Sequence, residues 1–141
     1  MSSLRKRHSH PFWLGQCGTP LRFVLFEHVL PFGPPHFDLM LEMGPRRRLW
    51  GLQTTSDPTV SRPVTDWQNH GTHRRRYLSF EGDIGQGRGS VRIMDAGRYV
   101  AKISGEGIRI EFAGRLGRRS FEIFPNSSES HLRAHFSETT H

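Results

Sequence analysis

Through the middle of the chain apolar and polar side chains alternate with a period of two rather than 3.6. In the run FDLMLEM, Phe37, Leu39, Leu41 and Met43 take one side, and Asp38, Met40 and Glu42 take the other. Successive side chains of an extended strand leave opposite faces, so this pattern predicts a strand with one apolar face. Residues 21–30 (LRFVLFEHVL) read as a second strand, apolar on both faces in its middle, and residues 49–54 as a shorter one. Residues 56–69 carry Pro58 and Pro63 among many turn formers and read as a loop.

A second set of elements follows. Residues 76–81 read as a strand and residues 82–89 (GDIGQGRG) as a glycine-rich turn. Residues 90–94 and 98–103 read as strands flanking Asp95-Ala96-Gly97, a hairpin connection whose glycine can take positive φ. Residues 108–112 alternate strictly, and residues 114–117 turn into a last strand over 120–124. No segment has the spacing of an amphipathic helix, and no internal repeat is visible. The expected fold is all-β and mainly antiparallel, a small closed β-barrel with little helix over residues 21–124. Residues 1–20 and 125–141 lack a sustained apolar period and are rich in Ser, His and charge. They are expected as a flexible basic N-terminal segment and a flexible C-terminal tail.

Composition narrows the class of partner. The 141 residues suit one domain, and a formal net charge of +7 favours a polyanion. Arginine supplies all but two of the 20 basic residues, with clusters at Arg46-Arg47-Arg48, Arg74-Arg75-Arg76 and Arg118-Arg119. Planar guanidinium groups suit phosphate recognition, although such runs equally suit solvated edges and loops. The single cysteine, Cys17, excludes an intramolecular disulfide and a CxxC zinc site. No apolar run approaches the length of a membrane span, and the basic start is followed by no apolar leader segment. A soluble, cytoplasmic, monomeric protein is the expectation.

The segment from residue 27 to 42, EHVLPFGPPHFDLMLE, holds the candidate chemistry. His36 and Asp38 stand two apart on a strand, so their side chains leave one face roughly 7 Å apart at Cα. An imidazole and a carboxylate so spaced can converge on one divalent ion. His28 ends the preceding strand, and the Pro/Gly loop between can return it beside His36. Two histidines and an aspartate suit Mn²⁺ or Zn²⁺ and leave coordination positions for water and substrate. The same spacing also suits a hydrogen-bonded His–Asp pair on a sheet. In residues 72–82, THRRRYLSFEG, an extended backbone would put His73, Arg75 and Tyr77 on one face, a candidate phosphate clamp. Arg74, Arg76 and Leu78 would take the other. A solvated basic edge strand is the plain alternative. The turn GQGRG lacks the features of a P-loop, but Arg88 could reach a phosphate from it.

The order RFV…EH…HFDLMLE, a tryptophan, H-x3-Y-x2-FEG, a glycine-rich turn and SVRIMDAGRY resembles the 3′-phosphoesterase domain of bacterial DNA ligase D and its stand-alone relatives. The resemblance covers residues 21–124. It implies a β-barrel with a Mn²⁺-dependent site that trims 3′-terminal ribonucleotides and removes 3′-phosphates. By position His28, His36 and Asp38 fall on the metal ligands, and His73 and Tyr77 on the active-site pair that engages the phosphate. The family carries an arginine two residues after the aspartate, where this chain has Met40. Arg75, with Arg88 in reserve, is the expected replacement. The gap between His28 and His36 is two residues longer than the usual spacing. Nucleic-acid 3′ ends, and repair ligase or polymerase proteins, are the implied partners. Three function classes stay open: an active 3′-end phosphoesterase in DNA repair, a degenerate module that binds ends without turnover, and a protein-interaction module.

Overall fold

The computed structural model describes residues 19–60, 64, 66–105, 107–124 and 133–138. Strands β1 (Leu21–Val29), β2 (His36–Glu42), β3 (Leu49–Thr54) and β4 (Gln68–His73) follow one another as hydrogen-bonded neighbours. A 3₁₀ turn, Arg75–Leu78, and the short β5 (Gly82–Asp83) lead into β6 (Ser90–Ser104), which pairs back onto β1. Then β7 (Gly107–Gly114), β8 (Gly117–Phe124) and β9 (Arg133–Glu138) complete a nine-stranded antiparallel sheet. Its order is β4-β3-β2-β1-β6-β7-β8-β9, with β5 on β6. The all-β, antiparallel character read from the alternation is present. No helix among the described residues is long and apolar enough to cross a membrane.

Alternation gives this sheet two buried faces. Leu21, Phe23 and Leu25 of β1 pack with Leu39 and Leu41 of β2, and with Tyr99, Ile110, Phe112 and Phe121 from the other half. Burying side chains of this size stabilises the fold by roughly 1.5–3 kcal/mol each. The opposite face of β1 and β2 is apolar only in part. Val24, Phe26 and Met40 meet Val91 and Ile93 of β6, and Leu78 from the 3₁₀ turn covers them. That second face runs out into polar side chains, and the candidate site lies there.

The structure departs from the expected elements at several places. The sheet is not closed into a barrel: among the described residues no pairing joins β4 to β9. The two halves approach through side chains instead, with Trp67, just before β4, edge-on to Phe121 of β8 at 5.5 Å between ring centroids. Alternation specifies which face is buried but not whether the edges meet in a hydrogen-bonded ladder. Residues 76–81 are not a strand; β4 lies earlier, and the 3₁₀ turn occupies the RRYL stretch. Within the expected C-terminal tail, Arg133–Glu138 pairs along β8 as an edge strand. Of the expected N-terminal segment, residues 1–20, all but the last two lie outside the described residues, as does most of that tail.

The expected hairpin at Asp95-Ala96-Gly97 is instead the middle of β6. Leu25 pairs with Asp95 and Phe26 with Ile93, so a bulge at Met94 absorbs one extra residue. Gly97 serves close approach rather than a turn, since a Cβ there would strike the carbonyl oxygen of Ala113 on β7. Beside it, Asp95 is completely buried. Its Oδ1 accepts hydrogen bonds from the backbone N–H groups of Ala96 (2.9 Å) and Leu116 (3.1 Å). Its Oδ2 has no hydrogen-bond partner among the described residues. Burial raises the carboxyl above its ordinary 3.8, and the bonds from Leu116 and Ala96 offset this only in part. The folded state therefore holds this proton more tightly than the unfolded chain does. The resulting stability is present below the ordinary value and is lost as pH rises through the raised one. Asp95→Asn should accordingly gain in Tm relative to the natural protein between pH 4 and 7. Parallel melting curves across that range, with no relative gain for the variant, would contradict the assignment.

Candidate functional site

The hairpin of β1 and β2 builds one wall. In antiparallel register His28 faces His36, Phe26 faces Asp38, and Val24 faces Met40. Directly opposed residues share a face, so His28, His36, Asp38 and Met40 stand together on the second face of the sheet. The connecting loop keeps the two histidines at its base, where Gly33 supplies positive φ (85°) and three prolines restrict the rest. The strands then open on a cavity of about 430 Å³. Phe26, Met40, Ile84 and Val91 form its apolar lining. His28, His36 and Asp38 supply one polar wall, His70, His73 and Tyr77 another, and Arg88 lies at the glycine-rich turn.

Asp38 is the hub of the first wall and is buried. Its Oδ1 accepts a hydrogen bond from Gln53 Nε2 at 2.9 Å, reaching across from β3. His28 donates Nε2–H to the carbonyl oxygen of Arg88 at 2.7 Å. A neutral His28 therefore turns its Nδ1 lone pair toward Asp38 Oδ2, 3.5 Å away. Two electron-pair donors facing each other call for a proton or a cation between them. Tying the remote ring nitrogen to a backbone carbonyl is also how proteins orient metal-ligating histidines. His36 stands next to this pair, its ring edge-on to that of His28 with centroids 6.2 Å apart. In kind, two imidazoles and a carboxylate fit a divalent transition ion. In arrangement, no three His, Cys, Asp or Glu side chains among the described residues converge as a ready-made metal group.

The second wall comes from β4 and the 3₁₀ turn. His73 donates Nε2–H to the carbonyl oxygen of His70 at 2.9 Å, and the two rings stack at 5.5 Å. Burial is the main cause that lowers its pKa below 6.5; the charges of His70 and Arg48 add to it, and the His70 carbonyl and Asp38 oppose it. His73 is thus a neutral imidazole at neutral pH, with Nδ1 left as an acceptor. Tyr77 lies edge-on to it, with ring centroids 6.5 Å apart. His73 occupies the space above Gly51 of β3, where a Cβ would come within 2.6 Å of its Nε2. A mid-strand glycine is the sequence signal that another group lies against the backbone.

Of the expected site residues, His28, His36, Asp38, His73, Tyr77 and Arg88 all line this cavity. Arg75 does not. The 3₁₀ turn leaves it outside the cavity that His73 and Tyr77 line, and its Nη1 pairs with Glu42 Oε2 at 2.5 Å and with the Arg47 carbonyl at 2.9 Å. An extended backbone from residue 73 to 77 was the premise of the phosphate-clamp reading, and the turn removes it. Glu42 is buried, which by itself raises its pKa. The bond from Arg75, the Arg22 N–H and the Arg75 charge outweigh burial and hold the carboxyl below 4.5. Met40 does face the cavity, as expected, but it is packed among Val24, Leu49 and Leu78. The pocket is built around an apolar side chain at this position. Gln53 and His70 escaped the sequence reading because neither belongs to a recognisable spacing; β-pairing alone brings them in.

Two outcomes follow from these contacts. Arg75→Ala leaves a buried carboxylate without its cation and should cost about 2 kcal/mol, discounted for the partial exposure of the arginine. Because the Glu42 pKa is lowered on folding, this contribution is present above pH 4.5 and fades as pH falls through the folded value. Arg74→Ala, on an exposed side chain, should leave Tm unchanged; equal losses at both positions in thermal melts would refute the pairing. Gly51→Ala should cost only about 1 kcal/mol, because the tip of one side chain can swing away, yet it should displace His73. An unmoved His73 ring resonance in the NMR spectrum of that variant would contradict the packing.

No family model matches the chain, and no curated protein matches it either.

Proposed function

We propose that this protein is a metal-dependent phosphoesterase that processes the 3′ ends of nucleic acids, removing a terminal ribonucleotide or a 3′-phosphate. The observation that carries the reading is the convergence of His28, His36 and Asp38 with His73, Tyr77 and Arg88 on one cavity. The first five are the residues that the resemblance to the ligase D phosphoesterase domain selects, Arg88 is the reserve that the glycine-rich turn offered, and four separate segments of the chain contribute them. His28, His36 and Asp38 would hold the ion, Mn²⁺ or Zn²⁺. When bound, such an ion polarises a phosphoryl oxygen and lowers the pKa of its water.

The remaining chemistry belongs to the chain. His73, which lines the cavity, is neutral and tied through Nε2, so Nδ1 is the nitrogen left to act as a proton acceptor. Tyr77 offers a phenolic O–H as donor. Arg88 supplies the guanidinium: its Nη2 donates to the Ile84 carbonyl at 3.1 Å and its Nε to the Gly85 carbonyl at 3.4 Å, which hold it at the turn. Donors placed in advance in a partly apolar cavity stabilise developing negative charge better than mobile water does. The product of such a reaction is a 3′-hydroxyl, the end that a polymerase or ligase needs. A repair role of this kind places the protein with the genome in the cytoplasm.

One observation favours a second reading. No three donors converge ready-made among the described residues, and Met40 stands where the family carries an arginine. A module that binds ends without turnover accounts for both. A primer–template with a single 3′ ribonucleotide or a 3′-phosphate separates the two readings. The phosphoesterase should release product in Mn²⁺, lose all release in Asp38→Ala, and slow about ten- to a hundred-fold in Arg88→Ala, the equivalent of about 1.5–3 kcal/mol. If the natural protein binds the end but releases nothing, the binding-module reading replaces the enzyme. If it binds neither metal nor end, a protein-interaction role remains.

A further inference from the structure

The face of the sheet that carries the cavity continues past it into a row of arginines. Arg22 of β1 pairs directly with Arg98 of β6. Arg98 pairs with Ala113 of β7, and Ala113 with Arg118 of β8. Opposed residues of an antiparallel sheet share a face, so these three guanidinium groups stand in one line across four strands. In β1 the even-numbered residues Arg22, Val24, Phe26 and His28 occupy this face, which makes it continuous with the cavity wall. Arg22, Arg98 and Arg118 are all exposed, and Arg115 is exposed beside them at the β7–β8 hairpin.

Several other cations of the chain are neutralised by carboxylates. Arg92 pairs with Glu27, Arg75 with Glu42, and Lys102 and Arg109 with Glu111. Among the described residues no ion pair engages Arg22, Arg98, Arg115 or Arg118. Like charges directly opposite on neighbouring strands destabilise a sheet, so the Arg22–Arg98 pair works against the fold. Small Ala113 leaves a gap between Arg98 and Arg118, roughly 10 Å wide across two strand spacings. The row is therefore costly to the fold and open to solvent, and the carboxylate that borders it, Glu42, is ion-paired with Arg75 instead.

We propose that this row is the track for the phosphate backbone of the nucleic acid whose 3′ end enters the cavity. The proposal rests on the nucleic-acid reading of that cavity and adds the surface that holds the rest of the strand. Charge complementarity carries the choice of partner: a line of planar guanidinium groups whose one flanking carboxylate, Glu42, is already paired with Arg75 fits a repeating phosphate array. Arg22 stands six residue steps before His28 along β1, which is roughly 20 Å. At roughly 3.4 Å per base pair, that reach meets phosphates about six pairs behind the terminus. Short ends should therefore fill the cavity without touching the row, and longer ones should gain affinity from it.

The test compares a dinucleotide ending in 3′-phosphate with a 12-base-pair duplex ending in the same group. Binding is measured in chelator over a salt series, and processing in Mn²⁺. Arg98→Ser with Arg118→Ser should weaken duplex binding at least tenfold. It should reduce the slope of log affinity against log salt by about 2, one for each phosphate that the variant no longer neutralises. Processing of the dinucleotide should be unchanged, and Tm should hold or rise as the like charges are relieved. Arg22→Ser alone should lower the slope by about 1, and it keeps the test open if the double variant folds poorly. Unchanged duplex affinity and slope in these variants would overturn the track. So would equal binding of polyglutamate and duplex at matched charge, which would make the row an acidic-protein surface. If the dinucleotide is never processed but the duplex still depends on Arg98 and Arg118, the track stands and the phosphoesterase reading fails. The two ideas thus fail separately.

Discussion

Antiparallel pairing of β1 with β2 is the constraint from which the rest of the structure follows. Three successive cross-strand pairs, Val24 with Met40, Phe26 with Asp38 and His28 with His36, grade one face from apolar to polar. The intervening pairs, Phe23 with Leu41 and Leu25 with Leu39, fill the other face with large apolar groups. A slip of one residue would exchange these faces, drive Asp38 and His36 into the core and expose Leu39 and Leu41. The core therefore selects the register, and the register assembles the candidate site. Stability and chemistry share one hairpin here, and β3 and β6 inherit their alignment from its two strands.

Buried carboxylates mark the places where this sheet departs from simple alternation. Asp38 is held by Gln53 and faces His28 at the cavity. Glu42 lies further along the same face of β2, closed off by Arg75 and the Arg22 N–H. Asp95 ties the bulged segment of β6 to the β7–β8 hairpin through backbone N–H groups. Each charge removed from water needs a partner, and the sheet supplies a different kind in each case: an amide and an imidazole, a guanidinium, and main-chain donors. The guanidinium groups accordingly differ: some hold a carboxylate, buried or exposed, and others are left facing solvent. Arg75 belongs to the first kind, whereas Arg22, Arg98 and Arg118 belong to the second.

Period-two alternation sufficed to read the all-β class, the bounds of β1, β2 and β3 within a residue or so, and the shared face of His36 and Asp38, because alternation is a local property of the backbone. His28 and Arg88 were also within reach, since a proline-rich hairpin and a glycine-rich turn fold back within a few residues. The conformation after His73 was not. THRRRYLSF satisfies a strand pattern as well as a turn, and only Leu78 packing under the turn against Val24 and Phe26, together with Arg75 reaching Glu42, decides for the turn. The bulge at Met94 was equally hidden, because Asp95-Ala96-Gly97 has the composition of a hairpin and only the close passage of Ala113 gives Gly97 its purpose. Gln53 and His70 reach the cavity through pairings among β2, β3 and β4 that carry no motif. What the chain determined by itself is the periodicity and chemistry of each segment. Which side chains meet across the sheet, and whether its edges close, was decided by long-range packing, since no local pattern encodes the fit of Trp67 against Phe121.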